Sequence, residues 1–121
     1  MKEDDDIYHS TFIGSRDILD KCILNKKEMD EYLKKTEHID PKEEHDHLYL
    51  VMTNETRREL LKFIDINARS FDEIQEKFRL EEDQLMYHLS MLEQLFFLMN
   101  TENGWKATPH GLGFLYHTIL K

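Results

Sequence analysis

Residues 70–92 read SFDEIQEKFRLEEDQLMYHLSML, and this stretch predicts two consecutive helices joined by a short turn. Ser70, followed three positions later by Glu73, is the pattern of a capping box, in which two side chains satisfy the first free amide groups of a helix. The second helix is predicted to begin near Glu82. In each helix the apolar residues recur at helical spacing and form one face suited to a core. These residues are Phe71, Ile74 and Phe78 in the first helix and Leu85, Leu89 and Leu92 in the second.

Capping residues on either side of this pair predict further helices. Asp40 followed by Pro41 is a typical start, because proline lacks only an amide hydrogen that would have no partner in the helix. Two short helices are expected before it, and whether these two merge stays open. The predicted starts are Ser15, Asn25 with Glu28, Asp40 with Pro41, Thr53 or Asn54 for a helix reaching about Asn67, and Thr108 with Pro109.

The remaining apolar runs predict a β-hairpin. Leu95–Met99 and Trp105–Ala107 have the composition of strands, and Asn100–Gly104 is a polar turn between them. The predicted fold class is therefore mainly α with one small hairpin. We expect a helical extension over residues 1–39 and a single domain over residues 40–121.

Composition limits the expected cellular location and the classes of binding partner. The chain has 121 residues with 25 acids and 16 bases, a net charge of -9, which opposes generic attraction to nucleic acid or to anionic membranes. Cys22 has no second cysteine to pair with, and its apolar neighbours predict a buried thiol. Without a signal segment or a membrane-length apolar run, the sequence predicts a cytoplasmic protein.

Three segments resemble the winged helix-turn-helix regulators of the ArsR type. Leu50–Leu61, with a double arginine at the start of a helix, is similar to one conserved segment of that family. Leu85–Leu92 looks like the core of its recognition helix, and Trp105–Gly111 resembles the return strand and cap that follow its wing. The resemblance covers about residues 40–121 and implies a winged helix-turn-helix fold. ArsR-type proteins often have a dimerising helix before this domain, so the resemblance also implies a homodimer.

The same resemblance implies a DNA interface. In that family the recognition helix enters the major groove and reads base edges, while flanking cations contact phosphates. Gln84 and Tyr87 would read bases here, and Lys106 at the wing would contact phosphate. The residues implied at DNA are Gln84, Tyr87, His88, Ser90, Lys106, Arg57, Arg58 and Arg79.

The charge pattern of this chain departs from that of the family. Between Arg79 and Lys106 there is no lysine or arginine, while the recognition helix and hairpin carry acids. Residues 54–79 contain six bases balanced by six acids. Two hypotheses follow: a DNA-binding regulator, or a protein-interaction module whose acidic face binds a basic protein. The acids in question are Glu81, Glu82, Asp83, Glu93 and Glu102.

Other patterns are weaker. Glu43–His47 crowds possible metal ligands, but residues two apart on a helix point to different faces, and the family's thiolate motif is missing. His110 and His117 share a helix face and would meet a second copy there, or else lie at the domain surface. No phosphate loop or nucleophile with a base is evident, so we expect neither an enzyme nor a cofactor. Sensing of a metal or small molecule would modify the DNA-binding hypothesis without replacing it.

Overall fold

A computed structural model describes residues 15–117, except for the side chains of residues 41–46 and of His117. The described chain is mostly helical with one antiparallel hairpin, which confirms the predicted fold class at that level. None of its helices combines the length and the apolar character needed to cross a bilayer. The elements are α1 (Arg16–Lys21), α2 (Lys26–Thr36), α3 (Pro41–Met52), α4 (Glu55–Ile64), α5 (Phe71–Phe78), α6 (Glu82–Gln94), β1 (Leu98–Thr101), β2 (Gly104–Ala107) and α7 (Pro109–His117).

The helix starts follow the predicted caps. The Ser70 hydroxyl accepts from the Glu73 amide at 3.0 Å, and the Glu73 carboxylate accepts from the Ser70 amide at the same distance, which closes the capping box. Asn25 and Glu28 form a second box, and the Asn54 side chain caps α4. The two amino-terminal helices are separate, because the chain is extended at their boundary.

Two element ends differ from the prediction. Helix α4 ends at Ile64 rather than near Asn67, because Asp65 takes a φ of 47° that ends helical pairing. The strand expected from Leu95 begins only at Leu98. Phe96, at a φ of 64°, and Phe97 form a Schellman motif that ends α6. The first part of the apolar run therefore terminates the helix, and the strand begins only after it.

The hairpin pairs Leu98 with Ala107 and Thr101 with Gly104. Trp105 also exchanges backbone hydrogen bonds with Arg69, at 3.0 and 2.7 Å, so the segment before α5 lies along the second edge of β2. Gly104 has a φ of +114°, and an added Cβ there would lie 2.7 Å from the Arg69 carbonyl oxygen. The turn therefore requires glycine, and the hairpin is held directly against the start of α5.

Helix α7 begins at the predicted cap. The Thr108 hydroxyl accepts from the Gly111 amide at 3.1 Å and also bonds to the Phe96 carbonyl. The Thr108 amide donates to the Phe97 carbonyl at 3.0 Å, which brings α7 close to the end of α6. An added Cβ on Gly111 would lie 2.3 Å from the Phe97 carbonyl oxygen. This close approach depends on glycine at position 111.

A main apolar core joins the helices to the hairpin and includes α1 of the extension, while Tyr32 of α2 packs with Met99 in a second, smaller cluster. Ile18 from α1 is buried in the same cluster as the α6 leucines and Phe97. The Tyr32 hydroxyl of α2 accepts from the His110 amide at 3.2 Å. Cys22 is half-buried against this core, and its burial raises the pKa of the thiol. Residues 15–39 therefore pack on the rest of the chain.

Candidate functional site

Arg57 lies inside the fold, where it joins three helices. Its side chain is 8% exposed. One guanidinium nitrogen donates to the Val51 carbonyl at 3.1 Å, and Nε donates to His88 Nδ1 at 3.1 Å. Arg58 donates to the Met52 carbonyl at 2.8 Å. The two arginines thus satisfy carbonyls at the end of α3, which has no basic residue of its own in its last turn. Arg57 is therefore buried in this structure, and its support of a contact to the DNA backbone stays a prediction.

His88 and Tyr87 are positioned by the same arginine. Burial and the positive charge of Arg57 lower the pKa of His88. Because its Nδ1 accepts from Arg57, neutral His88 carries its proton on Nε2. The Arg57 guanidinium carbon lies 5.4 Å from the centroid of the Tyr87 ring, a cation–π distance. Tyr87 itself is 57% exposed. Arg57 therefore contacts the exposed Tyr87 ring while its own side chain stays buried.

Lys106 is also buried, and its contact with a phosphate stays a prediction. Although it lies in β2, its ammonium is buried against α2, with Nζ 2.9 Å from Glu28 Oε1. Burial alone would raise the pKa of the Glu28 carboxyl. The hydrogen bonds from Lys106 and from the Asn25 amide, with the charge of Lys106, outweigh that effect and lower it. In this structure Lys106 is therefore not a surface cation of the hairpin.

The exposed surface of α6 and the hairpin is acidic. Lys106 is the one lysine or arginine in residues 80–117, and it is already paired. Ser90 is half-buried, and Gln84 is exposed but its amide oxygen accepts from the Glu81 amide at 3.3 Å. All five acids of this region are exposed to solvent, namely Glu81, Glu82, Asp83, Glu93 and Glu102.

Two further basic residues of segment 54–79 lie close to acids. Lys62 pairs with Glu59 at 3.4 Å, and Arg69 pairs with Glu73 at 3.4 Å. Arg69 also lies over the Phe63 ring, 4.3 Å from its centroid. Arg79 is exposed at the turn between α5 and α6, where it takes the left-handed conformation that ends α5. Of the predicted phosphate contacts, Arg79 is thus the one that is exposed.

A groove of about 510 Å³ separates α6 from the hairpin tip. Phe71, Met86 and Trp105 supply its apolar wall. Glu82 from α6 and Glu102 from the hairpin turn line it with carboxylates. The groove has no signal in the sequence, because its walls come from residues up to 35 positions apart, Ser70 to Trp105, and no local pattern joins them.

The histidine patterns do not converge on a described site. The side chains of Glu43–Asp46 and of His117 lie outside the described residues. His110 is buried, with its ring 4.7 Å from that of Phe97 between centroids, which corrects the expectation that it lies at the surface. Among the side chains that are described, no three histidine, cysteine or acidic residues gather as a metal site.

Comparisons with protein-family models, with curated proteins and with solved structures found no match to this chain.

Proposed function

We propose that this chain is a winged-helix domain with an amino-terminal helical extension. The order of α4, α5, α6, hairpin and α7 supports this proposal, since winged helix-turn-helix domains have the same succession. The three segments that resemble ArsR-type regulators fall at the start of α4, within α6 and at the start of α7. In this proposal α6 is the recognition helix and β1–β2 is the wing.

We further propose that the α6–hairpin face binds a basic partner protein rather than DNA. The observation that carries the proposal is the charge of that face: five exposed carboxylates, while Lys106 and Arg57 are buried and paired. DNA-binding proteins draw much of their affinity from cations at phosphates. Each exposed carboxylate about 4 Å from a phosphate would instead cost about 1 kcal/mol in water. The same charges would attract a basic protein and orient it.

The test compares two kinds of ligand on one protein. We expect a mixture of decapeptides in which half of the positions are arginine or lysine to bind in fluorescence anisotropy. The matched mixture with aspartate and glutamate should not bind, and neither should random 30-base-pair duplex DNA. A variant with Glu81→Gln, Glu82→Gln and Asp83→Asn should lose most of the binding. Salt-sensitive binding of duplex DNA at micromolar concentration, with no binding of the basic mixture, would refute the proposal.

A second candidate function is a homodimeric DNA-binding transcriptional regulator. Exposed Met86 and Tyr87 on the middle of α6, with exposed Arg79 just before it, favour this candidate, because such side chains can reach base edges and phosphate. Leu19, Ile23 and Leu33 of the extension are 38%, 38% and 37% exposed and would suit a dimer contact. We also propose a cytoplasmic location, as the sequence predicts.

The experiment for the second candidate measures assembly and DNA binding together. Light scattering should give twice the mass of the chain, and a mobility shift of duplex DNA should weaken steeply as salt rises. Arg79→Gln should reduce both the affinity and its salt dependence. A monomer that shifts no DNA at 50 mM salt would exclude this candidate.

A further inference from the structure

The groove between α6 and the hairpin has the size and lining of a side-chain binding site. Its volume, about 510 Å³, lies in the range of small-ligand pockets, roughly 300–1,000 Å³. Met86 is 42% exposed on one wall, and Phe71 and Trp105 continue the apolar surface. An apolar wall of this kind gains free energy when a partner's aliphatic groups cover it.

The negative charge of the groove favours a positively charged ligand. Every residue that lines it belongs to the described part of the chain, and none of them is lysine, arginine or histidine. Lys106 follows Trp105 directly, but its ammonium is held by Glu28 and does not neutralise the groove. Glu82 lies in the first turn of α6, where the helix dipole stabilises its negative charge. Glu82 and Glu102 therefore present two uncompensated carboxylates beside an apolar wall.

We infer that this groove binds an arginine-bearing segment of the basic partner protein. A guanidinium is planar, has five N–H donors and is weakly hydrated, so it suits a carboxylate that stands beside an apolar wall such as Met86. A lysine ammonium is a compact, strongly hydrated charge and fits such a mixed wall less well. This inference rests on the proposed function and specifies the place and the chemistry of the contact.

The hairpin contributes to the site because its position is fixed from two sides. Trp105 exchanges backbone hydrogen bonds with Arg69, and the following residue, Lys106, is anchored to Glu28 in α2. Glu102 lies at the turn that these contacts support. The backbone of the groove is thus preformed, so binding has to order only the exposed side chains that line it.

The test uses Trp105, the single tryptophan, as a fluorescent reporter in the groove wall. The probes are a capped hexapeptide that alternates leucine and arginine and the same peptide with neutral citrulline in place of arginine. The full chain should give a saturable change in fluorescence with the arginine peptide. The citrulline peptide should bind at least about tenfold more weakly, since hydrogen bonds to charged groups contribute that much each.

Matched variants locate the contact. Glu82→Gln with Glu102→Gln should weaken the arginine peptide at least about tenfold. Glu31→Gln with Glu76→Gln makes the same change of charge at exposed positions outside both the groove and the acidic face, and should leave the affinity within about twofold. Circular dichroism checks that both variants are folded.

Two results would overturn the inference. If the two double variants weaken binding equally, the peptide responds to net charge and not to the groove. If the basic decapeptide mixture binds the native chain but the groove variant binds it unchanged, the groove is not the contact, while the proposed function stands. If the native chain binds neither the basic mixture nor the arginine hexapeptide, both the inference and the proposed function are refuted.

Discussion

Replacing Lys106 with methionine should destabilise the fold strongly. The two side chains of the Lys106–Glu28 pair are 6% and 10% exposed and 2.9 Å apart. Methionine keeps most of the aliphatic stem but leaves the Glu28 carboxylate buried without its cation. Breaking a buried pair in this way costs about 3–5 kcal/mol. The Asn25 amide still donates to Glu28, so we expect the lower end, about 3 kcal/mol.

The pH dependence gives a second signature of the same contact. The folded state lowers the pKa of Glu28 from 4.5, so its stabilisation is present above pH 4.5 and is lost as pH falls through the lower folded value. In Lys106→Met the hydrogen bond and charge of Lys106 no longer offset the burial of Glu28, so the pKa of Glu28 rises relative to the native chain. The difference in stability between the two proteins should therefore be largest near neutral pH and narrow below pH 4.5.

Urea unfolding followed by Trp105 fluorescence and by circular dichroism measures both effects. With a slope of about 1–3 kcal/mol per molar urea, a loss of 3 kcal/mol lowers the midpoint by about 1–3 M. Adding Glu28→Gln to Lys106→Met should cost much less than the sum of the two single changes, because the pair is then removed together. A loss below about 1 kcal/mol for Lys106→Met would mean a solvent-screened pair. Lys106 would then be free to contact a phosphate, and the reasoning would be refuted.

Three further predictions concern other contacts. Gly111→Ala should cost about 3 kcal/mol in urea unfolding, because its methyl group meets a backbone carbonyl. Gly113→Ala, with open space, should stabilise the fold by about 0.5–1 kcal/mol. Arg57→Met should cost about 2–3 kcal/mol and raise the pKa of His88 relative to the native chain, as measured by NMR titration. The hydrogen bond to Asp65 raises the pKa of Tyr116 from 10.0 to about 12, so the native chain should lose stability between these pH values. Tyr116→Phe should lose less there, and equal losses in the two proteins would contradict the assignment.

Local signals accounted for most of the secondary structure. A capping box spans four residues, and its effect depends on atoms that are close in any conformation, so Ser70 with Glu73 could be identified from spacing alone. The end of α6 could not be identified from local signals. The same apolar residues suit a strand or a helix terminus, and only the packing of Phe97 into the core decides between them.

Some features of the candidate site could be predicted from the sequence, and others depend on tertiary contacts. The acidic character of α6 followed from composition, and the resemblance to ArsR-type regulators implied that Tyr87 faces outward. The roles of Arg57 and Lys106 did not, because their partners are 31 and 78 positions away. A cation in the sequence has the same formal charge whether it faces solvent or a buried carboxylate. Only its tertiary neighbours determine whether that charge is available to a partner.

By itself, then, the sequence determined where most of the helices begin, which of their faces are apolar and that the α6–hairpin region has too few cations for a typical DNA reader. Tertiary structure alone decided that the one remaining cation there, Lys106, is paired with α2 and that Glu82 and Glu102 share a groove. The physical reason is the separation along the chain over which each interaction acts. Capping and periodicity act within a few residues, whereas burial of a charge and the shape of a groove depend on segments that meet only in the folded chain.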